Sequence, residues 1–190
     1  MLLLFGCKTD DDGDDNAGDA TSSSSAAADE SSSTGSDVDA LYDCVDPMIV
    51  EARPLIGPGY DPSMGGLVAP LQDTYIVSST QVLVKPEAGA DFNELVGQVI
   101  AEIEASDGMV AYSLANDTSC GFARTLSVWR DAESMVAFAT SDAHANAVAR
   151  TNEVAITGKV THWAVSAEAF PPTWDTAREE LAKVAPVAVY

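Results

Sequence analysis

Apolar residues follow two periodicities in the segment from residue 75 to residue 105. Residues 75–84 are rich in β-branched residues and end at Lys85 and Pro86, which is typical of a strand. Residues at i, i+3, i+4, i+7, i+8 and i+11 then form one helical face; these are Phe92, Leu95, Val96, Val99, Ile100 and Ile103. Asp91 and Glu94 precede this face as a capping box, and Gly108 follows it. The pattern predicts a strand followed by a helix.

The same patterns continue to the carboxyl terminus. Strands are predicted over 109–114, 122–129 and 160–165, and alternation in the second of these puts Phe122, Arg124, Leu126 and Val128 on one face. Helices are predicted after Asp131, Asp142 and Thr173, each of which is expected to be the N-cap.

The predicted order β-α-β-β-α-β defines an α+β fold of the ferredoxin-like class. Four strands and two helices leave one face of the sheet uncovered, so the sequence predicts a homodimer that buries this face.

Composition divides the chain into five parts. Residues 1–7 are apolar and end in Cys7, and residues 8–43 consist mainly of Asp, Ser, Ala and Gly, which predicts a disordered acidic tether. Residues 44–74 are rich in Pro and Gly but carry apolar pairs, so we expect an arm that packs on the domain. The domain itself is predicted over 75–170, and a helix and tail over 171–190.

The formal net charge is −21. This charge repels phosphates, and the sequence has no Lys/Arg stripe to counter it, so nucleic-acid binding is not expected. Electrostatic attraction to anionic lipid is also not expected, and membrane attachment would have to be covalent.

The segment Met1-Leu-Leu-Leu-Phe-Gly-Cys7 resembles the bacterial lipobox, in which a small residue precedes the cysteine that receives lipid. The resemblance implies a lipoprotein of the bacterial cell envelope whose mature chain begins at Cys7. Five apolar residues fall short of the roughly 7–15 of a signal peptide, so we expect the native gene to start upstream. Lys8, rather than Asp, follows the cysteine, which favours the outer membrane.

If Cys7 carries lipid, Cys44 and Cys120 remain as an even pair in an oxidising compartment, which predicts a disulfide between them. A catalytic thiol is the alternative, although neither cysteine has a neighbouring His in sequence. No metal site is predicted, because the two His and these Cys are scattered along the chain.

Residues 125–138 and 140–144 resemble the antibiotic-biosynthesis-monooxygenase-like group: a strand ends in Trp129, an acidic helix start follows, and His144 comes fifteen residues later. The resemblance covers roughly 75–170. It implies a dimeric α+β barrel with a pocket between each sheet and its helices. Some members oxidise aromatic polyketides without metal or flavin, so no cofactor and a small aromatic ligand are implied.

Two subgroups of that family differ from this chain at their characteristic positions. Thr125 and Met135 stand where quinone-forming members, as aligned, have Asn and Tyr. Phe138 and Val148 stand where haem-degrading members have Trp and His.

Five residues are candidates for a site. His144, Arg124 and His162 are the catalytic candidates, since they are the groups able to carry or share charge on a bound anion, and Trp129 and Tyr112 are candidate walls of a substrate pocket. Each has a structural alternative.

The alternatives differ from residue to residue. Trp129 can pack in the core or a dimer seam, His144 can lie at the surface or cap its helix, His162 can be a hydrogen-bonded core residue, and Arg124 can form a salt bridge in a dimer. Two functions therefore remain: a lipoprotein whose barrel binds a small ligand or assists assembly, and a cofactor-independent monooxygenase acting on an electron-rich aromatic.

Overall fold

The computed structural model describes residues 34–44 and 48–189. The strands are β1 (Ile49–Ile56), β2 (Tyr60–Asp61), β3 (Gly66–Leu67), β4 (Thr74–Val84), β5 (Met109–Asp117), β6 (Phe122–Trp129), β7 (Ala155–Ser166) and β8 (Ala188–Val189). Six of them form an antiparallel main sheet in the order β1-β5-β6-β4-β7-β8, and β2 and β3 form a separate hairpin. The helices are α1 (Thr34–Tyr42), α2 (Gly89–Ala105), α3 (Ala132–Ala139), α4 (Asp142–Ala149), α5 (Thr151–Val154) and α6 (Trp174–Ala182).

The succession β4-α2-β5-β6-α3/α4-β7 is the predicted ferredoxin-like order, so the fold class is confirmed. Helix α2 forms where the periodicity placed it, and it buries Phe92, Leu95, Val99 and Ile103. The predicted strands all form, and β5 and β7 extend beyond their predicted ends.

Two helix starts differ from the sequence prediction. Helix α2 begins at Gly89, directly after a 3-10 turn at Pro86–Ala88, so Asp91 lies in its first turn and is not its cap. In α4 the side chain of Ser141, one residue before Asp142, accepts the hydrogen bond from the backbone N–H of His144. The predicted caps Asp131 and Thr173 are confirmed, since each side chain accepts a backbone N–H three residues later.

One face of the sheet packs against α2, α3 and α4; we call it the helix face. Its core joins the apolar side of α2 to residues of the sheet and of α3, among them Val82, Tyr112, Trp129, Met135 and Phe138.

The opposite face of the sheet, which we call the arm face, is also covered. Its buried apolar residues include Tyr75, Val77, Leu126 and Val128. Residues of β1, the β2–β3 hairpin and α6 pack on them, among them Leu55, Tyr60, Leu67, Trp174 and Ala177. The expectation of an uncovered sheet face is therefore wrong. Segments that precede and follow the domain in the sequence cover this face.

The arm also contributes to the sheet itself. Strand β1 pairs with β5 and forms one edge. Gly57 then crosses β5 so closely that a Cβ there would lie 2.3 Å from the carbonyl oxygen of Val110. A residue with a side chain would separate the arm from the sheet at this point.

The prediction of disorder through residue 43 is wrong at its carboxyl end, where α1 forms. The helix carries Val38, which is buried, and Tyr42, whose ring stacks on Phe122 with centroids 5.3 Å apart. The Cys44–Cys120 disulfide, whose prediction is confirmed, fixes the end of this helix to the β5–β6 turn. Apolar contact and a covalent link thus order a segment of polar composition. Residues 8–33 and the segment 1–7 with Cys7 lie outside the described residues.

Candidate functional site

An aromatic column stands on the helix face. The indole of Trp129 stacks on Phe138 of α3 with ring centroids 5.0 Å apart, and its Nε1 donates to Ser127 Oγ at 3.0 Å. Trp129 is fully buried in the interior strand β6, between Met109 of β5 and Ile76 of β4. Of the two sequence alternatives, the structure therefore has Trp129 in the core.

His144 continues this column. It is 0% exposed, and its ring meets Phe138 edge to face at 5.1 Å. Its Nδ1 lies 2.8 Å from the carbonyl oxygen of Ala139, which fixes the proton on Nδ1, since a carbonyl can only accept. Burial lowers the pKa of the imidazole to about 4, against the smaller opposing effect of the Ala139 carbonyl. The expectation of a surface histidine is wrong because the ring turns inward from the first turn of α4.

Three buried side-chain atoms in the described part of the chain have no hydrogen-bond partner: His144 Nε2, Thr80 Oγ1 and Thr125 Oγ1. Thr80 and Thr125 are directly opposite each other on β4 and β6, and strand alternation puts both on the helix face with Ser127 and Trp129. The next cross-strand pair, Ser78 and Ser127, is also buried. A row of hydroxyls thus runs from the aromatic column across the centre of this face.

Tyr112 lies on the helix face of β5 and is buried, but its hydroxyl reaches the edge of the layer. There it accepts a hydrogen bond from Arg53 of β1 and donates one to Glu104 of α2. Arg53 Nη1 also lies 2.9 Å from Glu104 Oε1. Burial is the main cause that raises the pKa of Tyr112, followed by the hydrogen bond to Glu104. The neutral phenol of Tyr112 therefore links β1 to α2 at this edge of the helix layer.

His162 is exposed on β7, opposite Ser78 in register. Alternation gives it the orientation of the helix face, but at this level β7 has a paired strand on one side only, since β8 pairs with Thr157 and Gly158. The alternative of a core histidine is therefore wrong.

Arg124 lies on the arm face, where it is 8% exposed. It donates from Nε to both carboxylate oxygens of Asp117, at 3.0 Å each, and from Nη2 to Oδ2 at 2.5 Å. The ion pair expected in a dimer is thus formed within one chain. Because Arg124 and His144 lie on opposite faces of the sheet, they cannot contact the same small molecule.

The structure therefore brings together Trp129 and His144, through Phe138, with Tyr112 on the same face. It separates Arg124 and His162 from them. The tight packing of this column gives an imidazole with a fixed tautomer and no access to water, which is a poor general base at neutral pH.

A cavity of about 490 Å³ lies on the arm face beneath α1 and α6. Three of its lining residues come from adjacent strands at one level of the sheet: Arg124 of β6 is opposite Gln81 of β4, which is opposite Lys159 of β7. The other lining residues are Asp39, Tyr42, Asp43, Cys44, Phe122, Arg178, Leu181 and Ala182. We call the three cross-strand residues the polar row.

Two further cavities flank the arm. One, of about 390 Å³, lies between residues 67–72 and the loop that leads into β5. The other, of about 400 Å³, lies between β1, the hairpin and the start of α6, and four of its lining residues are proline: Pro54, Pro62, Pro171 and Pro172. All three cavities lie away from the aromatic column.

Sequence reasoning did not identify Gln81, Lys159 or Asp117 as site residues. Gln81 carries a weak signal, since it is a long amide within a β-branched strand. Lys159 carries none, because only the pairing of β4 with β7 brings it beside Gln81. The partners Arg53 and Glu104 of Tyr112 are likewise defined only by tertiary structure.

Within residues 34–44 and 48–189, no three His, Cys, Asp or Glu side chains are grouped as metal ligands would be. None of the helices in these ranges has the length and apolar composition needed to cross a membrane.

Residues 76–150 match the sequence profile of the antibiotic biosynthesis monooxygenase family, which agrees with the resemblance seen in residues 125–144. The matched segment runs from β4 to the end of α4 and includes the column. No curated protein sequence is significantly similar to the chain.

Several solved structures are similar in fold. A candidate monooxygenase of Fusobacterium nucleatum is 17% identical, with a TM-score of 0.45, over 48% of this chain and 43% of its own. A conserved protein of Methanosarcina mazei is 20% identical, with a TM-score of 0.44, over 47% of this chain and 90% of its own. The Mycobacterium tuberculosis protein Rv0793 is 17% identical, with a TM-score of 0.44, over 52% of this chain and 96% of its own. The present chain thus spans less than half the length of the Fusobacterium protein.

Proposed function

We propose that this protein is a lipid-anchored envelope protein whose domain binds a small molecule without transforming it. The observation that carries the proposal is the contrast between the two faces of the sheet. The helix face is filled by Trp129, Phe138 and His144, whereas the arm face has a cavity of about 490 Å³ with polar residues in its floor. Volumes of roughly 300–1,000 Å³ are usual for small-molecule sites.

The second candidate, a cofactor-independent monooxygenase, is favoured by the family profile over residues 76–150. Such chemistry needs a base that reaches the substrate and has a pKa near the working pH. His144 has its Nδ1 engaged, its ring enclosed and its pKa lowered to about 4. Arg124, on the other face, is bound to Asp117. These properties support binding over catalysis.

The anchor is proposed from the sequence around Cys7, with the following polar segment as a tether and the outer membrane as the destination. The sequence predicted a homodimer that buries an uncovered sheet face, and proteins of this fold are commonly dimeric. The usual reason for it, an exposed apolar sheet face, is missing here, because α6 and the arm cover that face. We therefore propose that the domain acts as a monomer.

Oxygen uptake by the full chain carrying Cys7→Ser tests the proposal directly. Anthrone and hydroquinone substrates are supplied to this protein and to the same protein with His144→Asn, in which the Asn amide can replace the Nδ1 donor to Ala139. We expect uptake equal to that of buffer for both. Uptake that the wild-type histidine supports and His144→Asn removes would instead establish the monooxygenase.

A further inference from the structure

The polar row lies on the arm face, the same face as the apolar cluster that includes Val77 and Leu126. Arg124, Gln81 and Lys159 stand side by side across β6, β4 and β7, and neighbouring strands lie about 4.8 Å apart. The row therefore spans about 10 Å. All three residues line the cavity beneath α1 and α6.

Each residue of the row keeps hydrogen-bonding capacity for a guest. The Nε and Nη2 atoms of Arg124 donate hydrogen bonds to Asp117, and its Nη1 donates none to that carboxylate. Gln81 is only 6% exposed, and its side-chain amide forms no hydrogen bond with another described residue. The Gln81 amide is not among the fully buried unpartnered atoms, so it is accessible from the cavity that it lines, where a ligand or water can bond to it.

Lys159 is held at the other end of the row. Its Nζ lies 4.4 Å from the centre of the Tyr42 ring, and burial lowers its pKa. The Tyr42 hydroxyl bonds to Thr157 Oγ1, which fixes the ring. The ammonium is thus oriented by an aromatic face. Among the described residues it forms no ion pair within 4 Å, and the charge of Asp39 acts on it only from farther away.

Positive charge is scarce in this chain, and it is concentrated here. The sequence has nine Lys and Arg against thirty Asp and Glu, yet three of the nine line this one cavity: Arg124, Lys159 and Arg178. The acids at the cavity, Asp39 and Asp43, are exposed on the side of α1. Asp117, buried against Arg124, and Asp175, paired with Arg178, balance two of these cations, which leaves Lys159 as the lining cation outside the described ion pairs.

We propose that the polar row binds the carboxylate of a small organic acid, with Arg124 Nη1, the Gln81 amide and the Lys159 ammonium as donors. The apolar walls Phe122 and Leu181 would contact the body of that acid. This assignment rests on the proposed binding function and adds the class of ligand and the residues that select it.

The test uses the full chain with Cys7→Ser and four probes: benzoate, its neutral isostere benzamide, succinate and inorganic phosphate. Binding is followed by calorimetry and by ¹H–¹⁵N spectra, in which the Gln81 side-chain amide should shift. We expect benzoate to bind at least tenfold more tightly than benzamide, since its hydrogen bonds to the row are charge-assisted. We expect it to bind at least tenfold more tightly than phosphate as well, since phosphate has no ring to contact Phe122 and Leu181. Succinate binding would show that a second carboxylate is tolerated.

Lys159→Gln should weaken benzoate binding about tenfold and Gln81→Leu about fivefold. Lys85→Gln, which removes the same charge at a surface lysine bound to Asn152, should change it less than twofold. Equal binding of benzamide and benzoate, or of phosphate and benzoate, overturns the carboxylate assignment while leaving a binding cavity. Equal losses in Lys159→Gln and Lys85→Gln would show a general charge effect and also overturn it. Binding of none of the four probes overturns the assignment, and the proposed function fails separately if the oxygen-uptake test is positive.

Discussion

The buried ion pair between Arg124 and Asp117 allows a quantitative test of how the arm face is stabilised. Asp117 is 5% exposed and receives three hydrogen bonds from one guanidinium. Arg124→Met removes all three donors but keeps most of the apolar side chain. It leaves a buried carboxylate without a partner, which costs about 3–5 kcal/mol. A typical domain is stable by only about 5–15 kcal/mol, so the loss should be large.

The assay is urea unfolding at pH 7, followed by tryptophan fluorescence, to which the buried Trp129 contributes with Trp163 and Trp174. In Arg124→Met the free energy of unfolding should fall by about 3–5 kcal/mol with little change in the urea slope. Adding Asp117→Asn should restore at least about 2 kcal/mol, because the partnerless charge is then gone. As a control, Arg150→Met breaks the exposed pair with Glu153 and should cost less than about 1 kcal/mol. A cost below about 1 kcal/mol for Arg124→Met, or no recovery in the double variant, would refute the reasoning.

Four further outcomes are expected. The pKa of His144, about 4 in the folded protein, lies below the roughly 6.5 of an unfolded histidine, so the unfolded chain takes up the proton first as pH falls. Stability should therefore drop by about 3 kcal/mol between about pH 6.5 and pH 4, and His144→Asn should flatten this dependence in urea titrations; an unchanged slope would contradict it. Cys44→Ser should lower the free energy of unfolding by up to about 4–5 kcal/mol, since the disulfide joins residues 76 apart, and equal urea midpoints with and without reductant would exclude such a role. Labelled palmitate should enter an upstream-extended wild-type chain but not its Cys7→Ser variant, and equal labelling would remove the anchor. Sedimentation of the full Cys7→Ser chain at tens of micromolar should give the monomer mass, whereas twice that mass would require a dimer surface outside the arm face.

Local pattern was sufficient for β4, α2, β5, β6 and β7, the central elements of this fold. The face of α2 and the alternation in β6 follow directly from residue spacing, so both were predicted with nearly the observed bounds. The helix α1 was not predicted, since Val38 and Tyr42 find their partners only in tertiary structure and the surrounding composition is that of a disordered chain. Boundaries such as that of α2 shifted because a 3-10 turn feeds the helix before the expected cap.

The candidate site was harder to predict for a related reason. Arg124 and His144 were selected from the sequence as groups able to carry or share charge on a bound anion, and both are buried. Which face of the sheet each occupies depends on how the strands pair and on what covers them. The polar row is visible only once β4 is placed between β6 and β7, because Gln81 and Lys159 are 78 positions apart in the numbering.

The position of the disulfide also determines how the domain would bear a mechanical load. A pull on the chain before Cys44 passes through the sulfur–sulfur bond to Cys120 and so to the turn between β5 and β6. Strand β1, the arm and β4 lie inside the closed loop between the two cysteines and carry none of this tension. Edge strand β1, which would otherwise unzip first from the sheet, is thereby shielded. If the amino terminus is held at a membrane, drag on the domain is transmitted to an interior hairpin, and reduction of the bond would redirect it to the weakest edge.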